Sequence, residues 1–218
     1  MLRVKICGIT CLEDALGCAE AGADALGFIF VEGTPRYVTA DRAAAIIRRL
    51  PPFVTPVGVF WDHPAGHVKA VAEACGLRAL QFHGDESPED LAQYALPVIK
   101  TVKLPPASTA SEADALRVFR LALPRPAAAV LLDSAARWSE GEAREPVEWR
   151  AAAAIAAACR AEGRPVILSG GLTPDNVARA VALVKPYAVD VNSGVEAEPG
   201  RKDLRRVRRF IAEARRAL

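Results

Sequence analysis

Asp133 and Cys7 are the two residues of this sequence whose types and settings invite proton-transfer chemistry. Asp133 follows the wholly apolar run 127–132, and a carboxylate there is costly to bury without a purpose. Cys7 follows Val4-Lys5-Ile6 near the amino end. A thiol by itself reads more readily as a small buried apolar residue. That plainer reading suits Cys11, Cys18, Cys75 and Cys159, which fall in helical stretches. Set against an aspartic acid, however, a thiolate can serve as a general base. His83 is a third candidate of the same kind. Cys7, Cys11 and Cys18 do not read as a metal site, because their spacing is wrong for paired thiolate ligands and no histidine stands near. Neither a metal nor a cofactor is expected.

Two glycine-containing turns suit an anion. Ser169-Gly170-Gly171-Leu172 follows one apolar run, and Asn192-Ser193-Gly194-Val195-Glu196 follows another. Glycines let the backbone approach a ligand closely, and successive backbone N–H groups can hold a phosphate dianion without any cationic side chain. Gly170, Gly171, Ser193 and Gly194 are therefore the candidate phosphate-binding residues. Either turn alone reads as easily as a bend in the chain; their joint occurrence favours phosphate. Thr173 and Pro174 read as N-cap and first-turn proline of the next helix.

The elements that must carry these residues alternate. Short β-rich runs cover residues 4–7, 25–30, 57–60, 79–82, 98–102, 128–132, 166–169 and 188–191. Between them lie stretches such as 11–20, 40–49, 63–74 and 151–162, with apolar residues at helical spacing. Such alternation demands parallel strands joined by right-handed crossovers. An open dinucleotide-binding sheet would show its glycine-rich turn after the first strand. Here the glycine turns follow the seventh and eighth, where a closed barrel keeps its phosphate site. The expected fold is α/β: a single (β/α)8 TIM barrel with that site at strands 7–8, forming one catalytic domain over residues 1–218. Catalytic residues of such barrels sit at the carboxyl ends of strands, here Cys7, Phe30, Phe60, His83, Lys103, Asp133, Ser169 and Asn192. The irregular, charged segment 134–147 is long for a βα connection and reads either as an active-site lid or as a surface insertion.

A net charge of +2 makes no electrostatic case for nucleic acid. The amino end lacks the basic and apolar regions of a secretion signal, and no apolar run approaches the roughly 18 residues of a membrane span. Five cysteines in no framework spacing point to the reducing cytosol. The expected partner is a small phosphorylated molecule, with no nucleic acid and no membrane. No segment identifies an interface, so monomer and homodimer both stand.

A series of motifs runs along the chain in order. It begins with Lys5-Ile6-Cys7-Gly8-Ile9-Thr10, Pro35-Arg36-Tyr37-Val38, Gly58-Val59-Phe60, Gln81-Phe82-His83-Gly84 and Leu131-Leu132-Asp133-Ser134. Leu168-Ser169-Gly170-Gly171-Leu172, Asp190-Val191-Asn192-Ser193-Gly194-Val195-Glu196 and Pro199-Gly200-Arg201-Lys202-Asp203 complete it. Over nearly the whole length this series resembles the phosphoribosylanthranilate isomerase family of tryptophan biosynthesis. The resemblance implies an Amadori rearrangement of N-(5-phosphoribosyl)anthranilate to 1-(2-carboxyphenylamino)-1-deoxyribulose 5-phosphate. It implies Asp133 as the general acid that protonates the furanose ring oxygen, and Cys7 as the general base that removes the C2′ proton. It gives the anthranilate carboxylate to Arg36, whose fork suits a planar anion. His83 and Asp190 match further positions at the pocket, as substrate-binding residues. The chain departs from the family's pattern after the sixth strand, where a Gly-Gly-Thr-Gly stretch gives way to Ser139-Glu140-Gly141-Glu142 and its continuation.

An ordinary aspartic acid near pKa ~3.9 and an ordinary thiol near ~8.5 are both in the wrong state at neutral pH. The site is expected to push the first up and the second down, or to work from a minor protonation state. Strand alternation puts Lys5 inward one layer below Cys7, where its ammonium would favour the thiolate. The same parity puts Asp190 inward, where it would neutralise Lys5. Three rivals remain. An aminoimidazole carboxamide ribotide isomerase usually pairs aspartates. A pentulose-phosphate epimerase would want more metal ligands than His63, His67 and His83 supply. A catalytically idle barrel sensing a phosphorylated metabolite would need neither Cys7 nor Asp133.

Overall fold

The computed structural model describes residues 1–104, 127–134 and 148–217. Its strands are β1 (Arg3–Ile6), β2 (Ala25–Ile29), β3 (Thr55–Phe60), β4 (Ala79–Phe82), β5 (Val98–Leu104), β6 (Ala129–Ser134), β7 (Val166–Leu168) and β8 (Ala188–Val191). They pair parallel in chain order, and β8 returns to β1 to close the barrel. The helices described are α1 (Leu12–Glu20), α2 (Ala40–Ile47), α3 (Ala65–Cys75), α4 (Pro88–Ala92), α5 (Trp149–Ala161), α6 (Val177–Val184) and α7 (Leu204–Arg216). Side chains close several of their first turns: Thr39 for α2, the Ser87–Asp90 box for α4 and Asp203 for α7. The expected (β/α)8 barrel is the fold. Among the described residues no helix is long and apolar enough to cross a membrane.

Each strand serves two cores, because successive side chains point to opposite faces. The outward set, including Ile6, Phe28, Phe82 and Leu132, packs on helical Val68, Ile155, Val181 and Phe210. The inward set starts as a separate apolar plug of Val57, Ala79, Ile99, Leu131, Ile167 and Ala188. Other positions of the inward parity are polar yet buried: Lys5, Gln81, Thr101, Ser169 and Asp190, with His83 and Asp133 further along their strands. Polar groups buried inside a barrel cost stability unless they find partners or serve a site.

Several local expectations are corrected. β6 runs to Ser134, so Asp133 lies within the strand rather than past its end. Phe30 and Phe60 belong to the strand–helix core, with rings stacked 5.3 Å apart, and do not face the mouth. The helix after β7 starts at Val177 with Asn176 as N-cap, not at Thr173-Pro174. The Thr173 N–H donates to Asn176 Oδ1 at 2.8 Å, which spends these residues on the turn before the helix. After β8 comes a feature the sequence did not reveal. A 3-10 turn (Ser193–Val195) leads into an antiparallel ribbon of β9 (Glu196–Glu198) and β10 (Arg201–Lys202). The question of a lid or an insertion at 134–147 lies, beyond Ser134, outside the described residues.

Candidate active site

β1 delivers Lys5 and, just past its end, Cys7. Both lie over Gly27 of β2, where a Cβ would stand 2.7 Å from Cys7 Sγ and 3.0 Å from Lys5 Nζ. Gly27 thus makes the room for both groups. A glycine in mid-strand is the signal that marks such a close approach, and the motif reading passed over it. Lys5 Nζ donates to Asp190 Oδ1 at 2.8 Å, with both groups buried, and Ser169 Oγ donates to Asp190 Oδ2 at 3.2 Å. The parity argument therefore holds: Asp190 faces inward and pairs with Lys5.

Of the two alternatives for the thiol, the downward push is not what the structure gives; a minor thiolate population is. Burial pushes Cys7 up from the ordinary thiol range, Lys5 and Lys202 offset this only in part, and Asp190 adds to the rise. A thiolate taken from water loses its hydration, and an ammonium already shared with a carboxylate restores only some of it. Lys5 itself, which burial would otherwise discharge, is held above the ordinary lysine range by Asp190 and Cys7. At neutral pH the free protein holds a Cys7 thiol beside a firmly charged ammonium, with the thiolate as a minor species.

β6 brings Asp133, also buried, among the inward-facing groups. Its Oδ1 accepts the Ser134 N–H at 2.8 Å, and its Oδ2 lies 3.6 Å from His83 Nε2. The His83 ring rests against Trp61, with centroids 5.2 Å apart, and Lys103 Nζ sits 4.0 Å over the indole. That cation–π contact fixes the Trp61 face against which His83 lies. Lys103 was anticipated as a strand-end residue; Trp61 was not.

Arg36 lies on the loop after β2, and its fork is already engaged. Nε donates to Glu196 Oε1 at 2.9 Å and Nη2 to Oε2 at 2.6 Å, which leaves Nη1 outside the pair. Arg36 lines a cavity of about 260 Å³ with Gly171, Ser193, Gly194, Glu196 and Arg206. Both glycine turns thus open on one cavity. Gly170 (φ 81°) and Gly171 (φ 65°) take the left-handed conformation that favours glycine. A Cβ on Gly194 would run into the Leu172 carbonyl oxygen, so glycine there lets the two turns pack. The cavity has cationic walls as well as backbone, which the turns alone did not announce. Arg206 was missed because nothing local separates it from Arg205, Arg208 and Arg209 on α7.

The sequence as a whole matches the family model for N-(5'phosphoribosyl)anthranilate (PRA) isomerase over residues 4–213. It is 49% identical over 217 residues to the N-(5'-phosphoribosyl)anthranilate isomerase of Geobacter sp. (strain M21), covering 99% of each chain. Among solved structures, the Thermotoga maritima phosphoribosyl anthranilate isomerase superposes with a TM-score of 0.85 at 40% identity, over 99% of both chains. A phosphoribosyl anthranilate isomerase in complex with reduced 1-(o-carboxyphenylamino)-1-deoxyribulose 5-phosphate gives 0.82 at 40%, again over 99% of both. With a matching barrel and matches that span its length, this chain belongs to the phosphoribosylanthranilate isomerase family.

Proposed function

We propose that Asp133 and Cys7 divide the proton transfers of the family's reaction, the Amadori rearrangement of N-(5-phosphoribosyl)anthranilate in tryptophan biosynthesis. The observation that carries this reading is a buried thiol beside a charged Lys5–Asp190 pair, in a barrel that also buries a carboxyl against His83. Asp133 gives a proton to the furanose ring oxygen, and the ring opens to a Schiff base. Cys7 as thiolate takes the C2′ proton, leaving an enolamine that tautomerises to the ketose. Lys5 stabilises the thiolate in passing, Asp190 holds Lys5, and His83 orients Asp133. The scheme asks for no cofactor.

The bound compound of the 40%-identical relative carries a carboxyl group at one end and a phosphate at the other. In this chain Arg36 offers a partner for the carboxylate. Gly170, Gly171, Ser193 and Gly194, with Arg206, offer one for the phosphate. We place the protein in the cytoplasm, where its five free, buried cysteines suit a reducing medium. It works there as a monomer or a homodimer.

The test is turnover of freshly generated phosphoribosylanthranilate, followed by the loss of anthranilate-type fluorescence. Rapid loss with the wild-type protein is expected; a folded protein without turnover would return the rival phosphate-binding barrels to contention. The cradle has its own test. The positive φ at Gly171 means that a valine there would strain the backbone as well as fill the cavity, so a smaller change is cleaner. Gly171→Ala is expected to raise KM about tenfold, while costing about 1–2 kcal/mol of stability for the left-handed alanine. Unaltered KM with that loss of stability would mean that the turn does not touch phosphate.

A further inference from the structure

We infer that Glu196 is a positioning residue for Arg36, kept in that role by Lys202; the inference rests on the reading of Arg36 as the carboxylate clamp. Glu196 opens β9 and its carboxylate is almost fully buried. Oε2 takes Arg36 Nη2, while Oε1 takes Arg36 Nε, Lys202 Nζ at 2.9 Å and the Gly200 N–H at 3.3 Å. The Lys202 ammonium is wholly buried, and its other acceptors are Asn192 Oδ1 at 3.0 Å and the Asn192 carbonyl at 3.4 Å. Burial would raise the Glu196 carboxyl, but Arg36 and Lys202 outweigh it and hold it below the ordinary range.

One carboxylate thus stands between two basic side chains; burial draws Lys202 below the ordinary lysine range, and Glu196 opposes that fall. A ligand carboxylate must take whichever edge of Arg36 this arrangement leaves open. The geometry says which edge that is. A guanidinium has two edges able to hold a carboxylate, and Glu196 takes the Nε–Nη2 edge. The Nη1 side is left for a ligand, already oriented, so less side-chain freedom is lost on binding.

The ribbon explains how Glu196 stays in place. Lys202 pairs with Glu196 in the β9–β10 register, so the cation and its carboxylate come from one rigid unit. That unit is tied down three times. The Lys202 N–H donates to Asp14 Oδ2 at 2.9 Å, Thr10 Oγ1 donates to the Gly200 carbonyl at 2.7 Å, and Arg206 Nη1 donates to the Glu196 carbonyl at 2.7 Å.

The experiment measures binding of two ligands by calorimetry: reduced 1-(o-carboxyphenylamino)-1-deoxyribulose 5-phosphate, and the same compound without its ring carboxyl. Glu196→Gln is expected to weaken the carboxylated ligand about ten- to thirtyfold and leave the other within about twofold, the worth of a charge-assisted contact. Arg36→Met should show the same selectivity, and the double variant should add nothing further. Glu196→Asp keeps the charge but falls one methylene short, and should lose the same selectivity in smaller measure even if the glutamine variant folds poorly. Equal weakening of both ligands, or of neither, in the Glu196 variants would overturn the positioning role. If Arg36→Met discriminates and the Glu196 variants do not, this inference alone falls. If Arg36→Met does not discriminate, the clamp reading falls and takes the inference with it.

Discussion

Cys7→Ser and Asp133→Asn are each expected to lose about a thousandfold in kcat, within the 10²–10⁴ range of general acid–base catalysis, with KM little changed. A serine hydroxyl does not ionise in the useful range, and an asparagine amide has no acidic proton to give. Both substitutions keep the volume that fits the barrel interior, so the loss reports chemistry rather than collapse. A pH profile separates the two roles. Because burial pushes the Cys7 thiol up, the base is mostly protonated at neutrality, and the residual kcat/KM of Asp133→Asn, which keeps the base and lacks the acid, should climb with pH into the alkaline range. The residual rate of Cys7→Ser should lack that climb. A Cys7→Ser enzyme within tenfold of wild type would remove the thiol from the reaction and leave Asp133 to find another base.

Lys5→Met is the second large effect, and it acts on stability and reactivity together. It leaves the buried Asp190 carboxylate with Ser169 as its remaining hydrogen-bond donor, and breaking a buried pair on one side costs about 3–5 kcal/mol. Asp190→Asn in the same chain should recover most of that loss, since no uncompensated charge then remains. The sign of the pH dependence follows from Lys5 being held above its ordinary range. Its contribution is complete below the unfolded lysine value of ~10.4 and is lost only as pH rises through the higher folded value. The stability gap to Lys5→Met, read by urea unfolding, should therefore be flat from neutral pH to about 9 and narrow only beyond. Iodoacetamide alkylation of Cys7, followed by mass spectrometry, tests the reactivity. Without the ammonium, and with Asp190 still charged, the alkylation profile should shift to higher pH. An unchanged profile would take Lys5 out of the activation of Cys7 and leave it a structural partner of Asp190.

Much of this site was legible because β-strand side chains alternate with a period of two. Once β1 and β8 were recognised as strands, Lys5 and Asp190 had to share the barrel interior, and the structure pairs them at 2.8 Å. Asp133 declared itself by ending an apolar run, and the glycine turns by following the last two strands. Less regular elements were harder to see. The β9–β10 ribbon is too short and too charged to show a period, and the N-cap of α6 depends on which of Thr173 and Asn176 the preceding turn uses.

By itself the sequence determined the barrel and the faces of its strands, because these follow from local periodicity, and it nominated Cys7 and Asp133 by residue type and setting; Arg36 came only from the resemblance to the family. Tertiary structure alone decided three further matters. It set Glu196 on the fork of Arg36, 160 residues away along the chain, and it made Gly27 the floor under Cys7 and Lys5. It also turned the Cys7 thiol upward rather than down, because depth of burial, which no local pattern encodes, outweighs a neighbouring charge that is already shared.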